Sequence, residues 1–262
     1  MTSDKRTFDR RDLTGPFDIV GDVHGCADEL EELLGLLGYE IEWSDGDVRV
    51  TPPAGRMLVF VGDLVDRGPR TPDVLRVAMA MAEAGTALCV EGNHDNKFAR
   101  WLNGANVKPA HGLQASIDQM AGEDPAFHAR VRKYLAGLPP WLWLDGGKLV
   151  IAHAGLREEM IGQEGGKVRS FALYGDTTGE TDGYGNPVRR NWALEYRGAP
   201  AIVYGHVAAP EVQEANNTWC IDTGCCFGGA LTALRWPERE LASVPARKVW
   251  FEGSHPLSER TR

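Results

Sequence analysis

The sequence predicts an α/β fold of two packed, mixed β-sheets flanked by helices, with a helical cap. Three observations predict it. Short apolar runs alternate with loops and helical patterns through the first half of the chain. Polar clusters fall just after those runs, where ligands bind in open α/β sheets. In the second half, the apolar runs are less regularly separated by helical patterns, which favours two sheets over a single parallel one.

Residues 1–16 read as a polar arm, and Phe17-Asp18-Ile19-Val20 as a short buried strand leading into Gly21-Asp22-Val23-His24-Gly25. A helix is expected from Glu29 to Leu37, with Leu30, Leu33, Leu34 and Leu37 on one face. Ile41 to Val50 reads as a hairpin turned by Ser44-Asp45-Gly46-Asp47. Met57 to Val61 is a second buried strand, ending at Gly62-Asp63, and Pro72 opens a helix to about Ala84. Leu88-Cys89-Val90 is a third strand, ending at Glu91-Gly92-Asn93-His94-Asp95. Helical patterns fill much of 96–136, the expected cap. Trp141 and Trp143 read as packing residues, and strands return at 148–152, 201–204, 218–222 and 230–236. The Gly-, Thr- and Arg-rich stretch 162–200 is expected as long loops beside the site. The main domain is drawn over 17–243, with 244–262 as a C-terminal tail.

The 262 residues are 43% hydrophobic and 25% charged, a composition that supports a sizeable core. No apolar run approaches the ~18 residues of a membrane span. The start, MTSDKRTFDRRDLTGP, lacks the apolar stretch of a signal peptide. A cytoplasmic location without membrane association is the default expectation. The five cysteines form neither a paired framework nor a CxxC pattern, and read as buried, reduced thiols. A formal net charge of −9 without a dense Lys/Arg run argues against strong binding to long nucleic acid. It leaves a small phosphorylated substrate open. The oligomeric state is not legible.

Three strands each end in residues that commonly bind metals: Asp22 and His24, Asp63, and Asn93-His94. His153 in Ala152-His153-Ala154-Gly155 and His206 in Tyr204-Gly205-His206 follow two further apolar strands. A lone Asp-x-His is often incidental, and GNHD alone can be a turn. Five such features in order, each at a strand end, point to a metal centre. Mixed oxygen and nitrogen donors suit manganese, iron or zinc better than calcium or magnesium.

These motifs resemble the calcineurin-like metallophosphoesterases, whose DxH, GDxxDRG, GNHD/E, later His and final GH are matched by Asp22-Val23-His24, Gly62-Asp63-Leu64-Val65-Asp66-Arg67-Gly68, Gly92-Asn93-His94-Asp95, His153 and Gly205-His206. The GDLVDRG form is that of the phosphoprotein-phosphatase branch. The segments AHAGLREE, FALYGDTTGETD, NPVRRNWALEY, VYGH and IDTGCCFGGALTALRWPE are similar both to the phosphatase module of bacterial polynucleotide kinase-phosphatase and to bacterial diadenosine tetraphosphatases. GNHD and NGANVKPAHGL look nearer to the former, although the chain has no P-loop GxxxxGK[ST].

The resemblance implies a four-layer sandwich and two divalent cations, manganese first, with iron, zinc, nickel and cobalt as alternatives. Asp22, His24 and a bridging Asp63 would bind one cation; Asp63, Asn93, His153 and His206 would bind the other. Two such cations clamp a phosphate and activate water for in-line attack. His94 would protonate the leaving oxygen, Asp66 would orient His94, and Arg67 would grip a phosphate oxygen. Arg157, Arg189 and Arg190 are candidate substrate contacts, with a solvated face as the alternative. Asp222 is either a supporting partner of the site or a turn former, and His111 is open between structural and functional roles.

The function this implies is hydrolysis of phosphomonoesters or phosphodiesters of nucleotide or nucleic-acid-end type. The alternatives are symmetrical bis(5'-nucleosyl)-tetraphosphatase, protein Ser/Thr phosphatase and, least favoured, a non-catalytic scaffold.

Overall fold

The computed structural model describes residues 8–183, 185–253 and 257. The chain runs β1 (Phe17–Val20), α1 (Ala27–Leu36), β2 (Glu40–Ser44), β3 (Asp47–Thr51), β4 (Met57–Phe60), α2 (Thr71–Glu83), β5 (Ala87–Cys89), α3 (Asn93–Leu102), α4 (Leu113–Met120) and α5 (Pro125–Ala136). It continues through β6 (Trp141–Leu144), β7 (Leu149–Ala152), α6 (Gly166–Tyr174), β8 (Thr177–Thr181), β9 (Pro187–Arg189), β10 (Ala201–Tyr204), β11 (Gln213–Ala215), β12 (Thr218–Cys220), β13 (Ala230–Trp236) and β14 (Glu240–Pro245).

Two five-stranded sheets form the centre, in the orders β14-β13-β1-β4-β5 and β11-β12-β10-β7-β6. Each has a parallel core, β1–β4–β5 in one and β7–β10–β12 in the other, extended by antiparallel strands on one side in the first and on both sides in the second. The mixed character follows from the connections. Helical crossovers return the chain in the same direction, whereas short turns such as 237–239 reverse it.

Three buried clusters separate four layers. Phe17, Ile19, Val59 and Val61 of the first sheet meet Leu142, Leu149, Ile151 and Val203 of the second between the sheets. Leu30, Leu33, Leu34, Val74, Leu75 and Phe98 cover the outer face of the first sheet. Val168, Phe171, Ala172 and Trp192 cover the outer face of the second. The alternation in β1 explains why Asp18 can sit fully buried in a strand: it points away from the inter-sheet core. There it accepts from Tyr39 Oη (3.0 Å), Arg56 Nε (3.0 Å) and Arg235 Nε (3.1 Å).

The structure departs from the sequence reading at several places. The stretch 162–200 is not all loop, because α6 lies within it and β8 pairs with β9. Gly165 and Gly175 bracket α6, so its four buried apolar residues make too short a pattern to read beside them. Trp141 and Trp143 pack against the core as expected, but do so from within β6, an edge strand paired with β7. The boundary expected at 243 falls inside β14, whose side chains are mostly solvent-facing. The polar arm expected over 1–16 falls partly outside the described residues. Within them, Phe8 is buried and stacked on Trp141, and Trp143 N donates to Phe8 O (2.8 Å), so this segment is fastened to β6. α3, α4 and α5 extend the outer helical layer and reach the site from one side. Among the described residues, no helix is long and apolar enough to cross a membrane.

Candidate metal centre and cavity

All six parallel strands deliver a polar residue at or just beyond their C-terminal ends: Asp22 and His24 after β1, Asp63 after β4, Asn93 after β5, His153 after β7, His206 after β10 and Asp222 after β12. The parallel arrangement makes these ends converge. Two sets of donors lie within 4.8 Å of one another, His24–Asp63–His94 and Asp63–His153–His206, and they share Asp63. Asp22 completes the group, its Oδ2 standing 4.0 Å from His24 Nε2.

Ring orientation decides what these donors can bind. His24 Nδ1 donates to Val65 O (2.8 Å) and His153 Nδ1 donates to Val61 O (3.0 Å), because a carbonyl can only accept. Each neutral ring therefore turns an Nε2 lone pair inward, that of His24 toward Arg67 Nη1 (2.6 Å) and that of His153 toward His206 Nδ1 (3.1 Å). Asp63 Oδ2 stands 3.5 Å from His24 Nε2 and 3.4 Å from His153 Nε2, with no proton on either nitrogen to offer it. Asn93 Oδ1 stands 2.9 Å from His153 Nε2. Lone pairs converging in a buried space repel unless a cation lies among them, and backbone anchoring of the distal nitrogen is how metal-binding histidines are held. The donor set fits divalent cations.

The electrostatics point the same way. Burial, with Asp222 and Asp63 nearby, pushes the Asp22 carboxyl well above its usual range. Burial pushes Asp63 up to about 7. It holds His24 well below the usual imidazole value and brings His153 down to about 4. Each group is driven toward its neutral form, and a bound cation inverts that logic for the carboxylates.

The backbone is bent to make this possible. His24, Asp63, Asp66, Arg67 and His206 have φ of 46°, 52°, 73°, 71° and 75°, a region that non-glycine residues seldom adopt and that clusters at functional sites. Asp95 holds the loops, accepting from Asp63 N (2.8 Å), Leu64 N (3.0 Å) and Gly92 N (3.1 Å). Two glycines give the carboxylates room. A Cβ on Gly205 would overlap Asp22 Oδ1, and one on Gly92 would overlap Asp63 Oδ1.

Beside the donors, His94 Nδ1 donates to Asp66 Oδ2 (2.6 Å), and Ser116 Oγ donates to Asp66 Oδ1 (2.9 Å). This chain fixes the His94 ring with Nε2 toward the cavity. Burial, and then the positive charge of Arg67, hold His94 well below its usual value. Arg67 donates from Nη1 to His24 Nε2 (2.6 Å) and from Nη2 to His94 Nε2 (2.9 Å). A cation on His24 Nε2 competes with Arg67 for the same lone pair. The guanidinium also lies over Phe227, 4.9 Å from the ring centroid.

Asp63, Asn93, His94 and His206 face a cavity of about 760 Å³. Arg67, Lys97, Arg189 and Arg190 bring positive charge to its wall; Tyr174, Trp192, Phe227 and Phe251 bring aromatic surface. Arg189 Nη2 donates to His206 Nε2 (2.9 Å). His111 also borders the cavity, at φ 61°. One expected contact stands elsewhere. Arg157 is outside the cavity wall, tied through Nη2 to Asp176 Oδ2 (2.5 Å) and lying over Phe171. Asp222 is buried next to Asp22, and its Oδ1 accepts from Gly224 N (3.0 Å), so it both turns the loop and backs the donor cluster.

Several of these residues gave no sequence signal. Phe251 lies in the expected tail, and Ser116 acts on Asp66 from 50 positions away. Phe227 and Lys97 are legible only once the loops are assembled, as is the part that Asp95 of the GNHD motif plays in holding them.

A family model described as calcineurin-like phosphoesterase matches residues 15–210. The chain is 47% identical over 233 residues to a bis(5'-nucleosyl)-tetraphosphatase PrpE (asymmetrical) of Geobacillus sp. (strain WCH70), covering 87% of this chain and 94% of that protein. It is 43% identical over 240 residues to the protein of the same name from Bacillus subtilis (strain 168), covering 90% and 97%. Among solved structures, a protein provisionally named a diadenosine tetraphosphatase superposes with a TM-score of 0.64 at 27% identity, over 91% of this chain and 96% of that one. A protein serine/threonine phosphatase from Saccharomyces cerevisiae, at 13% identity and a TM-score of 0.56 over 90% and 80% of the two chains, shares the fold.

Proposed function

The chain belongs to the calcineurin-like phosphoesterases, hydrolases of phosphoric esters with a dinuclear metal centre, and from that premise we propose that its substrates are bis(5'-nucleosyl) tetraphosphates, cut asymmetrically into a nucleoside monophosphate and a nucleoside triphosphate. The observation that carries this reading is the cavity, which joins a metal-type donor cluster to cationic and aromatic walls. A polyphosphate chain needs the cations, and a base needs the aromatic surface. A phosphoprotein phosphatase needs a broad, open groove instead. The full-length likeness to the two asymmetrical tetraphosphatases supports the same substrate class.

In this reading Asp22, His24 and Asp63 hold one cation, and Asp63, Asn93, His153 and His206 hold the other. When bound, the cations supply Lewis-acid polarisation of a phosphoryl group and a water acidic enough to react near neutral pH. His94 delivers a proton from Nε2 to the leaving oxygen. The substrate's own negative charge raises His94 toward the protonated form, and Asp66 steadies the resulting imidazolium. Arg67 and Arg189 bind phosphate oxygens through their planar forks. Phe227 and Phe251 pack a base against the wall.

Cation binding competes with protonation of the same carboxylates. Because Asp63 is held up at about 7, a cation must expel its proton below that pH and none above it. The Mn2+-induced rise in Tm is therefore expected to be larger at about pH 8 than at about pH 5.5. Scanning calorimetry of metal-stripped and reloaded protein reads this directly, and an equal rise at both values would remove Asp63 from the ligand set.

The substrate assignment is tested on metal-stripped protein reloaded with Mn2+ and offered diadenosine tetraphosphate, p-nitrophenyl phosphate, a 2′,3′-cyclic nucleotide and a phosphopeptide. ATP and AMP in equal amounts from the tetraphosphate, at the highest kcat/KM of the set, are expected. Two ADP would mean symmetrical cleavage. Preference for the cyclic nucleotide or the phosphopeptide would overturn the assignment in favour of end-healing or phosphoprotein chemistry.

A further inference from the structure

A second group of donors stands behind the cavity, apart from the cluster at the strand ends. Cys26 immediately precedes α1, Glu29 lies in its first turn, and Cys225 lies in the loop after β12. Cys26 and Glu29 are fully buried and Cys225 nearly so. The two Sγ atoms and a Glu29 carboxylate oxygen lie within 4.8 Å of one another, and both cysteines are free.

Glu29 is satisfied on one side only. Its Oε1 accepts from Arg247 N (3.0 Å) and Trp250 Nε1 (2.8 Å), while Oε2, equally buried, accepts from no donor among the described residues. A buried carboxylate oxygen without a donor is costly unless a cation or proton meets it.

We propose that Cys26, Cys225 and Glu29 bind one thiophilic divalent cation, zinc by preference, at a site separate from the phosphoesterase centre. Two sulfurs and a carboxylate are a borderline-soft donor set, matching zinc rather than magnesium or calcium. Zn–S bonds of about 2.3 Å place tetrahedral sulfurs roughly 3.8 Å apart, within the spread of these atoms. The three residues supply three of four tetrahedral positions.

Without the cation, the Cys26 thiol donates to His24 O (3.6 Å). Binding exchanges two thiol protons for one Zn2+: two S–H bonds break, two Zn–S bonds form and two protons leave to solvent. The cation then ties α1 to the loop after β12 and, through Glu29 Oε1, to the segment carrying Arg247 and Trp250. Phe251, the next residue, lines the substrate cavity, and both Trp250 N and Phe251 N donate to Cys226 O. The site thus anchors one wall of that cavity.

Cobalt separates this site from the phosphoesterase centre, whose donors include no sulfur. Reduced, metal-stripped protein titrated with Co2+ is expected to develop a thiolate-to-cobalt charge-transfer band in the near ultraviolet, whose final amplitude corresponds to one thiolate-bound cobalt per chain after the two sites of the phosphoesterase centre have also filled. The band should persist in Asp63→Ala and vanish in Cys26→Ser and in Cys225→Ser. Should those variants fail to fold, Glu29→Gln, which can still accept the Arg247 and Trp250 hydrogen bonds, is expected to weaken cobalt binding roughly tenfold or more. No band in a protein whose thiols all titrate as reduced, or a band unchanged in Cys26→Ser, Cys225→Ser and Glu29→Gln, overturns the proposal.

Discussion

Asp63→Ala is expected to abolish phosphoester hydrolysis and reduce the metal content of the centre below two ions per chain. Asp63 is the donor common to both sets, its Oδ2 lying 3.5 Å from His24 Nε2 and 3.4 Å from His153 Nε2, so one substitution impairs both positions. Its Oδ1 also accepts from His94 N (2.9 Å), and thereby seats the first turn of α3. Lewis-acid stabilisation of a phosphoryl transition state is worth several kcal/mol, and each 1.4 kcal/mol is tenfold in rate. The expected loss in kcat is therefore about three to four powers of ten. Elemental analysis of the repurified variant, beside steady-state turnover, checks both halves. A variant holding two cations with kcat within tenfold of wild type would remove Asp63 from its bridging role.

His94→Ala is expected to keep the cations and lose turnover according to the leaving group. Its Nδ1 is committed to Asp66, and Asp66 to Ser116, so this ring is held for Nε2 to act. General-acid catalysis contributes roughly 10²–10⁴-fold, and most of it where the departing oxygen is basic. Phenyl phosphate should suffer near the upper end of that range and p-nitrophenyl phosphate near the lower end. Equal losses on both would assign His94 to positioning alone. Ser116→Ala offers a milder companion: it leaves Asp66 Oδ1 without its donor and should reduce turnover without changing metal content.

The sequence and the structure agree most closely where the signal is local. A metal-type residue at the end of an apolar run, within two positions of a glycine, is a pattern of four or five neighbours. Asp22, His24, Asp63, Asn93, His153 and His206 were all legible in that way. So were the parallel strands that carry them, because buried parallel strands are continuously apolar. The edge strands carried weaker signals: β14 buries only Val244, and β11 has no fully buried residue. Gly-flanked α6 was hidden for the same reason, since a nine-residue element gives periodicity little room.

The sequence by itself determined the family, and with it that a phosphoryl group is the target; the side chains proposed to hold the cations and the imidazole proposed to carry the proton were named from the same motifs. Only the tertiary structure decided which of them face one another and what surrounds them. His153 meets Asn93 across 60 positions, Ser116 holds Asp66 across 50, and Cys226 approaches Arg67 across 159. Sheet order and the packing of two sheets set these distances, and no window of neighbouring residues encodes them. The cavity wall follows the same rule. Phe227, Phe251 and Lys97 border one space because three separate segments pack around the same strand ends, and that packing is a property of the whole core.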